Sequence, residues 1–126
     1  MYIQIDFESE EAIYLQLKNQ IILAIATSAL REGDSLPPVR RLAGDIGINM
    51  HTVNKAYSML REEGFVTIDR RHGAVVAVDA NKARILQELK TDLTPIVARA
   101  RCFGVKPEEI ANLIEEILGE WEDISK

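Results

Sequence analysis

The sequence predicts a mainly α fold with one small β-hairpin, arranged as a helical head followed by a helical tail. Three observations predict it. Apolar residues recur at helical spacing in several separate stretches. Gly47 stands between two short helical stretches, and two β-branched runs flank a charged turn from Asp69 to Gly73.

Taken in order, Met1 to Phe7 alternates weakly (Tyr2, Ile3, Ile5, Phe7) and reads as an extended arm or a short strand. From Glu11 to Leu30, Ile13, Tyr14, Leu17, Ile21, Ala24 and Ile25 form an apolar stripe about four turns long, with Gln16, Lys18, Asn19 and Gln20 on the polar face. This helix is expected to back the two that follow. Arg31 to Asp34 breaks the pattern as a loop.

Leu36, Val39, Leu42, Ala43 and Ile46 continue at helical spacing, and Pro37 and Pro38 suit a helix start, where the first N–H groups lack intrahelical partners. Gly47 closes that helix, because glycine accepts the left-handed conformation of a helix-ending turn and Ile48 can tuck beneath it. Asn49 is the expected N-cap of a second helix through Met50, Val53, Ala56, Tyr57 and Leu60, spanning 50–63. Phe65, Val66 and Ile68 form one strand of the hairpin and Ala74 to Val78 the other, with Arg70 and Arg71 at the tip. A glycine-joined helical pair by itself fits plain packing as well as DNA reading. The added hairpin, with tip arginines that packing does not explain, makes the whole a winged helix-turn-helix: a recognition helix for the major groove and a wing, 69–74, for the minor groove.

Beyond the wing, Asn81 can cap a helix carrying Ile85, Leu86, Leu89, Leu93, Ile96, Val97 and Ala100 on one side. Pro95 lies inside it and predicts a bend or break near Leu93. Gly104 ends the segment. Lys106 and Pro107 start a last helix, with Glu108 and Glu109 at its positive dipole end and a broad stripe of Ile110, Leu113, Ile114, Ile117, Leu118 and Trp121. Fewer than about fifty residues rarely build a core alone. The expected division is therefore a DNA-binding head, 1–79, and a two-helix tail, 80–126, whose apolar faces cover either the same chain's head or, as favoured, the same helices of a second chain. Leu89, Leu93, Ile96, Val97, Ile110, Leu113, Ile114, Ile117, Leu118 and Trp121 are the expected dimer contacts.

The 126 residues suit one small domain with an appendage. No apolar run approaches the roughly 18 residues of a membrane span, and the acidic start does not suit a signal peptide, so a soluble, cytoplasmic protein is expected. The single cysteine, Cys102, excludes an internal disulfide and a zinc site of usual spacing, and reads as buried filler. The net charge of −5 is unevenly spread. Residues 35–76 carry six bases against four acids, whereas 1–34 carry two against six and the remainder seven against ten. Positive excess is thus confined to the helix-turn-helix and wing.

The run Tyr14-Leu15-Gln16-Leu17, Ile25-Ala26, Gly33-Asp34, Leu36-Pro37-Pro38-Val39-Arg40-Arg41-Leu42-Ala43, Asn49, Thr52-Val53, Ala56-Tyr57, Leu60 and Glu63-Gly64 resembles the N-terminal domain of the GntR family of bacterial transcription regulators. The resemblance spans roughly residues 11–78, and the short tail resembles the YtrA-type subgroup. It implies that Arg40 contacts DNA, that Asn49, Met50, His51 and Thr52 open the recognition helix with Asn54 and Lys55 just beyond, and that Arg71, His72 and Gly73 form the wing tip. Two positions depart from the family pattern. Met50 stands where many members have arginine, and only Gly73 remains of a Gly-x-Gly wing turn.

Each of these residues has a physical role to fill. Asn49 and Thr52 can meet phosphate at the helix N-terminus; Met50, His51 and Asn54 can reach base edges; Arg40, Arg41 and Lys55 suit phosphate. For Arg41 and Lys55 the less favoured alternative is a plain solvated charge, and His72 equally fits a turn-shaping role. The expected function is a sequence-specific, homodimeric DNA-binding regulator acting as a repressor on a double-stranded operator. The alternative is a winged-helix protein-interaction adaptor. No enzyme, metal or cofactor is expected, since neither a Ser/His/Asp set nor a phosphate loop is present. So short a tail leaves little room for an effector pocket within one chain, but a cavity between the tail helices of a dimer could take a small-molecule effector.

Overall fold

In the computed structural model, residues 2–78 and 81–125 are described. The chain divides into two units, Met1–Asp79 and Ala80–Lys126. The expected boundary at residues 79 and 80, like Met1 at the start of the arm, lies outside the described residues.

The first unit holds α1 (Ile13–Ala26), α2 (Val39–Ile46), α3 (Met50–Glu62), β1 (Val66–Asp69) and β2 (Gly73–Val76). Each helix turns its stripe inward: Leu17 and Ile21 from α1, Leu42 and Ala43 from α2, and Val53, Ala56 and Leu60 from α3 are buried, together with Val66 and Val76 of the hairpin. Burying each large side chain contributes roughly 1.5–3 kcal/mol. Gly47 takes φ 82°, and the Ile48 N–H donates to the Ala43 carbonyl at 3.0 Å, so the chain leaves α2 with its last carbonyls satisfied and Ile48 folded against the core.

β1 and β2 pair antiparallel, Val66 opposite Val76 and Asp69 opposite Gly73. The segment expected to be a plain loop adds to this sheet. Gly33 N–H donates to the Val76 carbonyl, Val76 N–H to Asp34, and Leu36 N–H to Ala74, at 2.7–2.8 Å. The backbone groups of the buried Ala74 and Val76 on the outer edge of β2 would otherwise lack partners.

Two expectations for α1 are corrected. The helix is shorter than 11–30, ending at Ala26, where Thr27 Oγ1 donates to the Leu23 carbonyl at 2.9 Å and Ser28 turns to φ 65°. Gln16, placed on the polar face by periodicity, is buried. Its amide accepts from the Asp6 N–H (2.9 Å) and donates to the Asp6 and Glu11 carbonyls. One turn further, Gln20 accepts from the Gln4 N–H at 2.8 Å and donates to the Gln4 carbonyl. Two glutamine side chains thus stand in for a neighbouring strand, and Ile3 and Ile5 of the arm pack on the core.

The second unit holds α4 (Lys82–Cys102) and α5 (Pro107–Ser125). Asn81 caps α4, its side-chain oxygen accepting from the Arg84 N–H at 3.2 Å. Gly104, at φ 86°, ends it, with the Val105 N–H donating to the Ala100 carbonyl at 3.1 Å. Of the bend or break expected near Leu93, the break does not occur: α4 is continuous through Pro95. Proline removes one donor only, and the carbonyl it would have served, on Thr91, belongs to an exposed residue and is open to water. Cys102, expected to be buried, is exposed. It shares that state with most of the described residues of its unit. No described side chain of α4 or α5 is buried; Leu89, Ile96, Leu113, Ile114, Ile117 and Leu118 are exposed, and Leu93, Val97, Ile110 and Trp121 half-exposed. No helix among the described residues is long and apolar enough to cross a membrane.

Candidate nucleic-acid interface

The recognition helix begins where Asn49 stops the turn. Its backbone is extended and its side-chain oxygen accepts from the His51 N–H at 2.7 Å, satisfying one of the free donors of the first turn. That bond uses the acceptor of Asn49 and leaves its amide hydrogens to face outward. With Val53, Ala56, Tyr57 and Leu60 turned inward, the helical period leaves His51, Asn54, Lys55 and Ser58 exposed on the opposite face. Met50 is exposed beside them, while Thr52 is only half-exposed.

Around this face the charges differ in their freedom. Arg40 and Arg41 are exposed in the first turn of α2. Arg41 Nε lies 3.9 Å from Asp45 Oδ2, an open and solvated pair that holds the guanidinium only weakly. Arg40 makes no ion pair among the described residues. Lys55 is placed differently from a free phosphate clamp: its Nζ lies 3.9 Å from the centre of the Tyr14 ring, drawn toward α1. Such a contact at an exposed site contributes roughly 0.5–1 kcal/mol, weak enough to be exchanged for a phosphate.

At the wing, the single retained glycine is sufficient for the turn. Gly73 adopts φ 70°, and Asp69 organises the rest. Asp69 Oδ1 accepts from the Arg71 N–H at 2.7 Å, and Oδ2 lies 3.2 Å from His72 Nδ1. The hydrogen bond from the Arg71 N–H, followed by that from His72, holds the Asp69 carboxyl below its ordinary pKa. His72 therefore shapes the turn, whatever else it touches. Arg70 and Arg71 are left exposed at the tip, without an ion pair among the described residues.

Between α3 and the wing lies a cleft of about 500 Å³. It brings together Asn54, Arg71, His72 and Gly73 from the expected set, and adds Ser58 and Arg61, which sequence reasoning missed. Their signal was present in the spacing: 54, 58 and 61 are one helical row. Arg40, Arg41, Asn49, Met50, His51, Thr52, Lys55 and Arg70 lie outside the cleft lining. Tyr57 fixes one wall. Its hydroxyl donates to the Pro37 carbonyl at 2.7 Å, and burial pushes its pKa far above the ordinary value, so it stays a neutral donor.

Three helices, a glycine turn and a hairpin that presents an exposed polar helix face beside a basic tip define a winged helix-turn-helix regulator of the DNA-binding class. The family described as "Bacterial regulatory proteins, gntR family" matches residues 10–76, and the chain belongs to it. The likeness extends past the head. The chain is 33% identical over 118 residues to the HTH-type transcriptional repressor YtrA of Bacillus subtilis (strain 168), covering 91% of each. Among solved structures it is similar to a transcriptional antiterminator from Listeria monocytogenes EGD-e, with TM-score 0.84 and 28% identity over 100% of this chain and 94% of that one. It is also similar to YtrA from Sulfolobus acidocaldarius, a GntR-family transcription factor, with TM-score 0.60 and 39% identity over 94% and 97% of the two chains.

Proposed function

We propose that the chain is a cytoplasmic, homodimeric repressor that reads a two-fold symmetric DNA operator, with α3 in the major groove and the wing, 69–74, directed to the minor groove. The observation that carries this reading is the exposed row of His51, Asn54 and Ser58 beside a wing tip whose arginines have no acidic partner among the described residues, in a chain of net charge −5. His51 and Asn54 read base edges; Arg40, Arg70 and Arg71 hold phosphate or the minor groove; Asn49 and Thr52 stand at the N-terminus of α3, where free N–H groups favour an anion. Arg41 and Lys55 contribute as weakly held phosphate contacts, and Met50 offers an apolar contact to thymine methyl groups where an arginine would have read guanine.

Dimerisation is supported by the tail. Two helices of 21 and 19 residues carry broad apolar faces, and none of their described side chains is buried. A second copy of the tail removes those faces from water and sets the two heads at a fixed spacing. Repression is supported by the name of the YtrA relative. An effector, if the operator response requires one, binds among the paired tail helices.

Selection of binding sites from a random duplex pool, followed by footprinting, tests the reading. Recovery of a symmetric site is expected. Arg40→Ala weakens binding to all sequences alike, whereas Asn54→Ala changes the preference between sites. Leu93→Asp converts the dimer to monomer in sedimentation and lowers operator affinity. Recovery of a single asymmetric half-site would overturn the dimer, and no duplex binding at low salt would leave the adaptor alternative.

A further inference from the structure

The cleft between α3 and the wing has two kinds of wall. One is apolar, formed by Pro37, Pro38 and Ile68, the last 55% exposed although it sits in a strand. The other is polar and cationic, formed by Ser58, Arg61 and Arg71. Arg61 has no ion pair among the described residues. It also borders a shallower hollow containing Glu32, but that carboxylate accepts the Val78 N–H at 3.2 Å and does not pair with Arg61. Ile68 and Arg61 line the same cleft, so an exposed apolar surface and a guanidinium with no ion pair among the described residues are both offered to whatever enters it.

The combination suits one ligand chemistry: a chain that alternates sugar carbon surface with singly charged phosphate. We infer that this cleft seats the sugar–phosphate backbone of one DNA strand, with Ile68, Pro37 and Pro38 against deoxyribose and Arg61 and Arg71 on phosphates. Arg61 is then a sequence-independent DNA contact on the far half of α3. The inference rests on the DNA-binding reading above. If α3 enters the major groove and the wing the adjoining minor groove, the strand separating those grooves must pass between them. Seating it there fixes the wing's depth relative to α3, so Arg61 positions the wing as well as adding charge. The hydrogen bond from Tyr57 to Pro37 keeps the apolar wall at a set distance from the helix.

The test uses the full-length protein, the duplex enriched from a random pool, and Arg61→Gln beside Arg61→Lys. The exposure of Arg61 leaves thermal stability unchanged in both. Arg61→Gln is expected to weaken every duplex by about tenfold and to lower the salt slope by about one. Arg61→Lys restores most of the loss. Neutral methylphosphonate linkages, placed one at a time along each strand, locate the contact. Wild type loses affinity at a backbone position between the α3 and wing footprints, and Arg61→Gln shows no further loss there. Equal losses in wild type and Arg61→Gln at every position, or an unchanged salt slope, would overturn the cleft assignment while duplex binding by wild type keeps the wider reading. Absence of wild-type binding to any duplex at low salt would overturn both.

Discussion

The head and the tail are written in the same kind of amphipathic helix, yet only the head closes a core. In α1 and α3 the apolar stripes end as Leu17, Ile21, Val53 and Leu60 with no exposed surface, whereas Leu113 in α5 keeps 56% of its surface and Ile96 in α4 keeps 64%. The difference lies in the number of directions from which each stripe is covered. α3 is met by α1, α2 and β1, so its whole inward face is removed from water. Two helices alone have no third layer, and a stripe on such a helix states a demand for burial without stating who meets it. The head therefore has a closed core, while the described apolar residues of the tail keep surface in contact with water.

The largest effect that tests this contrast is in the core of the head. Leu60→Ala is expected to destabilise the head by about 2–5 kcal/mol in urea denaturation, while Leu118→Ala in the tail leaves the head's transition where it was. A tail substitution that shifted the head's transition as strongly would break the comparison. Next comes the wall of the cleft. Tyr57→Phe deletes the donor to the Pro37 carbonyl and is expected to lower stability by about 1 kcal/mol, read from the same transition. Asn49→Ala removes the cap of α3 and costs about 1 kcal/mol or somewhat less at this exposed site. Here the sharper readout is faster amide exchange at His51 and Thr52.

The smallest effect is at the wing. Asp69 has a lowered pKa in the fold, so its contribution is fully present above the unfolded carboxylate pKa and is lost as the pH falls through the lower folded value. Between neutrality and mild acid the wing turn should not change. Below the ordinary carboxylate range, the Arg71 amide resonance should move as its acceptor is protonated, and Asp69→Asn should abolish that titration with little change in unfolding. A wing that melted at mildly acid pH would show that Asp69 is not what organises it.

Much of the head was legible because its signals are local. Gly47 at positive φ, Asn49 as a cap and the stripe of α3 each follow from a few neighbouring residues, as does the turn from Asp69 to Gly73. What escaped required partners distant in sequence. Gln16 has the polarity of a surface residue and is buried because the arm at Asp6 needs its amide. Residues 33–36 lack a strand pattern, yet pair because the hairpin offers an open edge. Ser58 and Arg61 lie on the row of Asn54 but acquire meaning only when the wing stands opposite. In the tail, Pro95 carried a strong local warning, but one missing donor in a long exposed helix was insufficient to break it. Cys102 looked buried by residue type alone, and a lone pair of helices has no interior to receive it.

By itself the sequence determined that these helices and the hairpin form, the turns at Gly47 and Gly104, the caps at Asn49 and Asn81, the charge excess of the reading head and the family to which the chain belongs. These depend on backbone preferences and spacing within a few residues. Only the tertiary structure decided which polar side chains are buried, which cations stay unpaired and that Arg61, Arg71 and Ile68 share one cleft. Those outcomes depend on atoms brought together across tens of residues, where burial and desolvation, rather than local propensity, set the free energy.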